Sequence, residues 1–305
     1  MNNFRPAESF QDNTVQTLVL VDYSNLLYRA WFVSSKRRWI AYCKFFDMLR
    51  LCIKRSKQPG VPLNVIFADE SKTILDRKKI DKNYKGTRKR DEDPNFKEFR
   101  EGLAELIDYL GWGLLHVDGA EADDVIASIV AKYCHRCLCK TPCKDCECHL
   151  KYKTDIVIFS GDRDLQTCLA WDRTMIYRAP GLFIDRKSFA EEHGFPIEKY
   201  NIYKAIIGDT SDNIKGVEGM GPAKATKAIQ ADTVAVDIWE MHGPKGVKAF
   251  KKALSLVNMN TKLKLFDMDR IISLYSGPPQ FDEKEFVKKY DKKILLEVQR
   301  LKEEF

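Results

Sequence analysis

The chain has 305 residues, of which 44% are hydrophobic and 31% are charged, and its net charge is +7. This composition is that of a folded globular protein and excludes a disordered chain. The sequence has no apolar run of the roughly 18 residues that a membrane-spanning helix needs. Its polar start, MNNFRPAESFQDN, is unlike a secretory signal. We therefore expect a protein without a membrane partner, with one large α/β domain or two modest ones.

The chain alternates between short β-rich runs and stretches with helical spacing. The runs occupy 17–22, 63–69, 113–118, 155–162 and 174–178, and the helical stretches 36–55, 96–110, 121–133 and 163–170. This alternation predicts an α/β fold with a central, mostly parallel sheet flanked by helices. From about residue 200 the chain is mostly helical in pattern. We predict a sheet domain over 1–185 and a helical subdomain over 186–305.

Acidic residues follow four of the predicted strands. Because parallel strands end at one edge of a sheet, these acids and a second pair in GDTSDN are expected to surround one cleft. Together they are Asp22, Asp69, Glu121, Asp123, Asp124, Asp162, Asp164, Asp209 and Asp212. Crowded carboxylates without His or Cys favour Mg²⁺, or Mn²⁺ in its place, over Zn²⁺. Two such ions about 4 Å apart are a standard arrangement for phosphodiester hydrolysis.

The positive charge of the chain is concentrated in one segment. Between Lys72 and Arg90 there are nine bases and two acids. Such a block suits a polyanion such as nucleic acid, although a solvated linker has the same composition.

Six of the nine cysteines lie between Cys134 and Cys148. Nothing in the sequence indicates export, so thiols or metal thiolates are expected rather than disulfides. Two CxxC pairs predict a structural Zn²⁺ in an insertion over 134–153, with Cys134, Cys137, Cys143 and Cys146 as ligands. A flexible, thiol-rich loop is the alternative.

Seven motifs occur in a fixed order: VDYSN, FADE, YKGTR, GAEADD, SGDRD, GDTSDN and GVEGMGPAKA. In this order they resemble the 5′-nuclease superfamily, which comprises flap endonucleases and 5′→3′ exonucleases. Within it the chain is most similar to the stand-alone bacteriophage 5′-exonucleases and phage RNase H. The resemblance implies a PIN-like sheet, a helical arch over about 72–105 and a helix–hairpin–helix subdomain.

The resemblance also implies roles for individual residues. Asp22, Asp69, Glu121 and Asp123 would hold the first metal, and Asp162, Asp164, Asp209 and Asp212 the second, with Asp124 supporting either site. At the base of the arch, a nucleobase would stack on Tyr84, while Lys85 and Arg88 would contact the scissile phosphate.

GVEGMGPAKA resembles the hairpin of the helix–hairpin–helix element. The resemblance implies that Gly216, Gly219 and Gly221 let backbone N–H groups reach a DNA phosphate, that Lys224 and Lys227 add positive charge, and that a monovalent cation binds there. The substrate would be DNA with 5′ flaps or ends, or an RNA–DNA hybrid. The resemblance further implies a monomeric hydrolase of DNA replication in bacterial or phage-infected cytoplasm, with replication proteins as further partners.

Three other functions compete with a two-metal 5′-nuclease. A catalytically silent relative would have the same fold and recognise DNA junctions. Such a protein would be expected to lack several of the acidic residues, but this chain contains all nine. A PIN-like ribonuclease shares the acids at strand ends but does not account for the basic segment and the Gly-rich hairpin. A zinc-dependent regulatory module would rest on too small a part of the chain.

Overall fold

The computed structural model describes residues 15–87, 93–134, 154–263 and 277–305. Its main sheet consists of β1 (Gln16–Asp22), β2 (Leu63–Ala68), β3 (Leu114–Leu115), β4 (Thr154–Phe159), β5 (Thr174–Arg178) and β6 (Leu182–Ile184). The strand order is β3–β2–β1–β4–β5–β6, and all neighbours are parallel except β5 and β6. The predicted α/β fold with a mostly parallel sheet is confirmed.

Alternate residues of the strands belong to two hydrophobic cores. In β1, Leu18 and Leu20 pack in one core and Val19 and Val21 in the other, and all four side chains are fully buried. Side chains of a strand point alternately to opposite faces of its sheet. A strand covered on both faces is therefore a continuous apolar run, as the sequence predicts for β1, β2 and β4.

Helices cover both faces of the sheet. The helices of the described chain are α1 (Tyr23–Val33), α2 (Arg38–Ser56), α3 (Arg77–Ile80), α4 (Pro94–Tyr109), α5 (Ala122–Tyr133), α6 (Arg186–His193), α7 (Tyr200–Ile207), α8 (Pro222–Ala231), α9 (Val234–Val257), α10 (Glu283–Lys289) and α11 (Lys292–Lys302). Short 3₁₀ helices lie at Asp164–Ala170 and Ile197–Lys199, and a hairpin joins β7 (Gly208–Asp209) to β8 (Ile214–Lys215). α9 bends at Gly243, whose φ is +56°. No helix in these ranges is long and apolar enough to span a membrane.

The helices after residue 185 do not pack as one group. Phe189 of α6, Ile206 of α7 and Ile238 of α9 share a core with α5 on one face of the sheet. Phe286 of α10 and Val298 of α11 belong to the core of α1, α2 and α4 on the other face. The predicted helical subdomain over 186–305 is therefore wrong for α10 and α11, whose apolar faces pack with the helices of the first part of the chain.

Two predicted elements differ from the structure, and two observed elements were missed. The run 113–118 yields only the two-residue strand β3, and 163–170 is largely a 3₁₀ helix rather than an α-helix. Helix α1 was not predicted, although Asp22 before it is a typical N-cap residue. Strand β6 has only three residues and runs antiparallel to β5. The sequence therefore contains neither a long apolar run nor a preceding crossover helix that would predict it.

Candidate active site

The strand order of the sheet reverses beside β1, with β2 and β3 on one side and β4 and β5 on the other. At such a reversal the loops at the carboxyl ends of the strands diverge and leave a crevice for ligands. Asp22 ends β1, Asp69 follows β2 and Asp162 follows β4. A cleft of about 1250 Å³ opens at this edge and is lined by Asp162, Asp164 and residues 207–218.

Asp22 is buried at the end of β1 and caps α1. Its Oδ1 accepts a hydrogen bond from the backbone N–H of Asn25 at 3.0 Å, and its Oδ2 accepts one from the Ser160 hydroxyl at 2.9 Å. Burial raises the pKa of Asp22 to about 6, and the charges of Asp162 and Asp69 contribute to the rise. The Asp22 carboxylate therefore both caps helix α1 and forms part of the carboxylate cluster of the candidate site.

Asp123 lies in the first turn of α5 beside the same carboxylates. Burial raises its pKa well above the ordinary value, and the charges of Asp162, Asp22 and Glu121 raise it further. Because the charges of neighbouring carboxylates raise the pKa values of both Asp22 and Asp123, these side chains form one electrostatically coupled group. In the described ranges no three acidic, His or Cys side chains already converge as the ligand set of one ion.

Two cations from the basic segment are held against the start of α5. Arg77 is buried, pairs with Glu121 and donates to Asp124 at 2.7 and 2.8 Å. Its Nε also donates to the carbonyl of Leu256 at 2.9 Å. Lys85 pairs with Glu121 as well. These two bases therefore neutralise carboxylates of the site.

Tyr84 lies inside this group of charges. Its ring is only 3% exposed, and its hydroxyl lies 2.8 Å from Glu121 Oε2 and 2.8 Å from Asp212 Oδ2. Burial and these two carboxylates raise its pKa. The expectation that a nucleobase stacks on Tyr84 is wrong for this conformation, because both carboxylates hold the phenol in the interior.

A third cation, Lys204 of α7, joins two further carboxylates. Its Nζ lies 2.7 Å from Asp164 Oδ1 and pairs with Asp209. Burial raises the pKa of Asp209, but hydrogen bonds from Lys204 and Ser211 outweigh it and lower that pKa overall. The pKa of Asp164 is raised by burial, and the Lys204 charge opposes the rise.

The structure thus divides the nine predicted carboxylates into two groups. Glu121, Asp124, Asp164 and Asp209 form ion pairs with Arg77, Lys85 or Lys204, and Asp212 accepts from Tyr84. In the described part of the chain Asp22, Asp69, Asp123 and Asp162 form no ion pair, and the nearby Lys85 charge only partly opposes the raised pKa of Asp123. Asp162 therefore shares an environment with Asp22 and Asp123, whereas the family resemblance implied a role for it at the second metal.

Residues 17–194 match the protein-family model of the 5′–3′ exonuclease N-terminal, resolvase-like domain. The chain belongs to the 5′–3′ exonuclease family. A 5′–3′ exonuclease of Aquifex aeolicus is 28% identical over 258 residues, which cover 82% of each chain. A thermostable DNA polymerase I of Thermus thermophilus is 30% identical over 219 residues, 70% of this chain. The chain spans about a quarter of that polymerase's length.

Solved structures share the fold of this exonuclease-family chain. The bacteriophage T5 flap endonuclease, in a complex with DNA and metal ions, has a TM-score of 0.60 at 22% identity over 93% of this chain and 100% of its own. Flap endonuclease-1 of Methanococcus jannaschii has a TM-score of 0.55 at 12% identity over 97% and 94% of the two chains. The predicted resemblance to flap endonucleases and 5′→3′ exonucleases is confirmed.

In this family member, α7, the hairpin β7–β8, residues 216–221 and α8 form a helix–hairpin–helix arrangement. A Cβ on Gly216 would lie 2.2 Å from the carbonyl oxygen of Ile206, so Gly216 allows close packing against α7. Gly219 has a φ of +72°, a conformation that favours glycine. Gly221 caps α8 and faces open space, and Lys224 and Lys227 are exposed on that helix. Phosphate and cation binding at this hairpin remain predictions.

Cys134 is part of the hydrophobic core rather than of an exposed loop. The Thr174 hydroxyl donates to its sulfur at 3.6 Å, and burial raises the thiol pKa to about 12. Cys134 is therefore buried in the metal-free protein, and its predicted role as a zinc ligand stays a prediction. Cys137, Cys143, Cys146 and Arg88 lie outside the described residues.

Sequence reasoning did not identify several residues that organise the site. Lys204 lies in an ordinary helical stretch, and Arg77 is one of nine bases in a segment that suits nucleic acid or a solvated linker, with no role of its own assigned. Ser160 lies beside Asp162 in the motif SGDRD, and Ser24 lies in VDYSN and donates to Asp69 Oδ1 at 3.0 Å. Their motifs were noted, but only the acids within them were assigned.

Proposed function

We propose that the chain hydrolyses phosphodiester bonds near the 5′ ends of DNA, as a 5′→3′ exonuclease and flap endonuclease that depends on divalent metal ions. One observation carries the proposal. Asp22, Asp69, Asp123 and Asp162 gather at the switch point of the sheet without an ion pair in the described ranges, and the pKa values of Asp22 and Asp123 are raised. Buried like charges repel one another, and a divalent cation would relieve that repulsion.

The residues of the site fit such ions. Every candidate ligand at the switch point is a carboxylate, and hard oxygen donors suit Mg²⁺ or Mn²⁺. We propose Asp22, Asp69, Asp123 and Asp162 as the principal ligands. Asp164, Asp209 and Asp212 would support a second ion. Bound metals would supply Lewis-acid stabilisation of phosphate charge and an activated water.

The protein's own side chains would orient the substrate and balance its charge. Lys85 lies beside Glu121 and Asp123 and would offer its ammonium to a phosphate that enters the cleft. Arg77 is held by four residues, two at the start of α5 and two at the end of α9, so it fixes Glu121 and Asp124 rather than following the DNA. Exposed Lys224 and Lys227 would position the duplex through its backbone, without reading its sequence.

The test is a cleavage assay with 5′-labelled flap, nicked duplex and RNA–DNA hybrid substrates, in Mg²⁺ or in EDTA. The variant Asp162→Asn removes one switch-point charge, and Asp108→Asn, on the exposed face of α4, is the matched control. Release of short 5′ products in Mg²⁺ by the parent and the control, but not by Asp162→Asn, is the expected result. The hybrid substrate shows whether the activity extends to RNase H.

Binding without cleavage in both Mg²⁺ and Mn²⁺ would refute the proposal. That outcome would support the catalytically silent junction-binding relative. Equal cleavage by Asp162→Asn would also refute the assignment of the switch-point carboxylates.

A further inference from the structure

Lys204 of α7 places an ammonium group among the carboxylates proposed for a second ion. Its Nζ lies 2.7 Å from Asp164 Oδ1 and also pairs with Asp209. Only 12% of its side chain is exposed, and it lines the cleft together with Asp164, Asp209 and Asp212. A divalent ion that took both Asp164 and Asp209 as ligands would therefore have to displace a nearly buried cation or bind beside it.

The Asp209 carboxylate is engaged within the chain through both of its oxygens. Its Oδ2 pairs with Lys204. Its Oδ1 accepts from the backbone N–H and the hydroxyl of Ser211 at 2.8 and 2.6 Å, and from the N–H of Asp212 at 3.3 Å. A carboxylate oxygen has about two lone pairs, so Oδ1 has no acceptor capacity left. The turn after β7 thus holds this carboxylate toward the lysine rather than toward an ion.

The carboxylates at the switch point of the sheet have neutral donors instead. Asp22 accepts from the N–H of Asn25 and from the Ser160 hydroxyl, and Asp69 accepts from the Ser24 hydroxyl. These hydrogen bonds orient the carboxyl groups but bring no positive charge, so they leave the mutual repulsion in place. A divalent cation is therefore favoured at the switch point, whereas the group around Lys204 already contains a positive charge.

We propose that Lys204 is a built-in cation in place of a second divalent ion, so that the protein without DNA binds a single ion, at the switch-point carboxylates Asp22, Asp69, Asp123 and Asp162. The inference rests on the proposed function and concerns how many ions the free protein holds. Two cations a few ångströms apart in a partly buried site repel each other strongly. Mg²⁺ is commonly bound by one or two carboxylates together with substrate phosphates, so a second ion would enter only with the DNA.

The test counts the Mn²⁺ ions that the full chain binds without DNA, by isothermal titration calorimetry. We expect one ion per chain for the parent. Lys204→Met removes the cation and keeps much of the side-chain length, so a second ion should bind at least about tenfold more tightly than any second ion binds to the parent. The matched control is Lys199→Met, which removes the lysine beside the start of the same helix that pairs with Asp232, and it should keep one ion.

Three further variants make the test independent of the folding of Lys204→Met. Lys204→Arg keeps the positive charge and should keep the single ion, whereas a role in packing alone would not distinguish the Arg and Met variants by ion count. Asp162→Asn should weaken the binding of the single ion by at least about tenfold. Asp209→Asn should weaken it far less, because Lys204 already neutralises that carboxylate.

The outcomes separate this inference from the proposed function. Two ions on a parent protein that cleaves DNA in Mg²⁺ would overturn the inference and leave the nuclease intact. Equal weakening by Asp162→Asn and Asp209→Asn, or a single ion on folded Lys204→Met, would overturn the inference as well. One ion on the parent without any cleavage would support the role of Lys204 and refute the nuclease. Failure of the parent to bind Mn²⁺ would overturn both.

Discussion

The buried carboxylate of Asp22 is expected to reduce stability in the metal-free protein. Its pKa rises from 3.8 to about 6, which corresponds to about 3 kcal/mol of unfavourable free energy for the ionised form in the folded state. The folded protein binds this proton more tightly than the unfolded chain does. The cost is therefore absent below about pH 3.8, grows as the pH rises and is complete above about pH 6.

Asp22→Asn removes the charge and keeps the hydrogen-bonding geometry. The amide oxygen can still accept from the N–H of Asn25, and the amide nitrogen can donate to Ser160 Oγ. In EDTA at pH 7.5 we expect the free energy of unfolding to rise by about 1–3 kcal/mol. The melting temperature should rise by about 2–6 °C. The same variant should lose cleavage activity, and Mg²⁺ should stabilise it less than it stabilises the parent protein.

Thermal unfolding at pH 7.5 and pH 4, with and without EDTA, is the assay. The gain should shrink at pH 4, where the parent carboxylate also holds its proton. Asp108→Asn on the exposed face of α4 should change the free energy of unfolding by no more than about 0.5 kcal/mol. A loss of stability in Asp22→Asn, or a gain of the same size at both pH values, would refute the reasoning.

Three further predictions concern groups around the site. Tyr84→Phe removes the hydroxyl that bonds to Glu121 and Asp212, while Arg77 still donates to the same Glu121 oxygen, and urea unfolding should show a loss of about 1–3 kcal/mol; no loss would contradict the observed hydrogen bonds. Lys204→Met leaves Asp164 and Asp209 without their shared cation and should cost about 2–4 kcal/mol in EDTA, with partial recovery in Mg²⁺; equal stability in both would contradict this. The Cys134 thiol, with a pKa of about 12, should resist iodoacetamide at pH 8 in the folded protein, as peptide mass spectrometry would show; rapid alkylation would contradict its burial.

The parallel strands were predictable because their burial on both faces leaves a direct signal. The runs TLVLVD, LNVIFAD and TDIVIFS match β1, β2 and β4 to within one to three residues, because apolar β-branched residues must fill both cores. The edge strands β3 and β6 have only two and three residues, so they are too short to produce a recognisable apolar run in the sequence. The packing of α10 and α11 across the sheet from α7–α9 depends on tertiary contacts that helical periodicity does not encode.

The carboxylates of the site were predictable because topology alone brings strand ends to one edge. The cations were not predictable, because each of them pairs with at least one acid that is distant in the chain. Arg77 meets Glu121 44 residues later, and Lys204 meets Asp164 40 residues earlier. In the sequence Arg77 is one of nine bases in a segment that suits solvent or DNA equally well. Only the docking of residues 76–87 against α9 and the β7–β8 hairpin turns Arg77 and Lys85 inward.

The ion pairs separate two roles of the nine carboxylates that the sequence could not distinguish, structural support of the cleft and proposed metal binding. Nine carboxylates in one cleft imply one large repulsion, but three cations and one phenol stabilise five of them at its periphery. The repulsion that remains is concentrated on Asp22 and Asp123, whose pKa values it helps to raise. The peripheral pairs hold α3, α5 and α7 around the crevice and need no metal to do so. We therefore expect removal of divalent ions to abolish catalysis while leaving the cleft assembled, because the carboxylates that shape it already have partners within the chain.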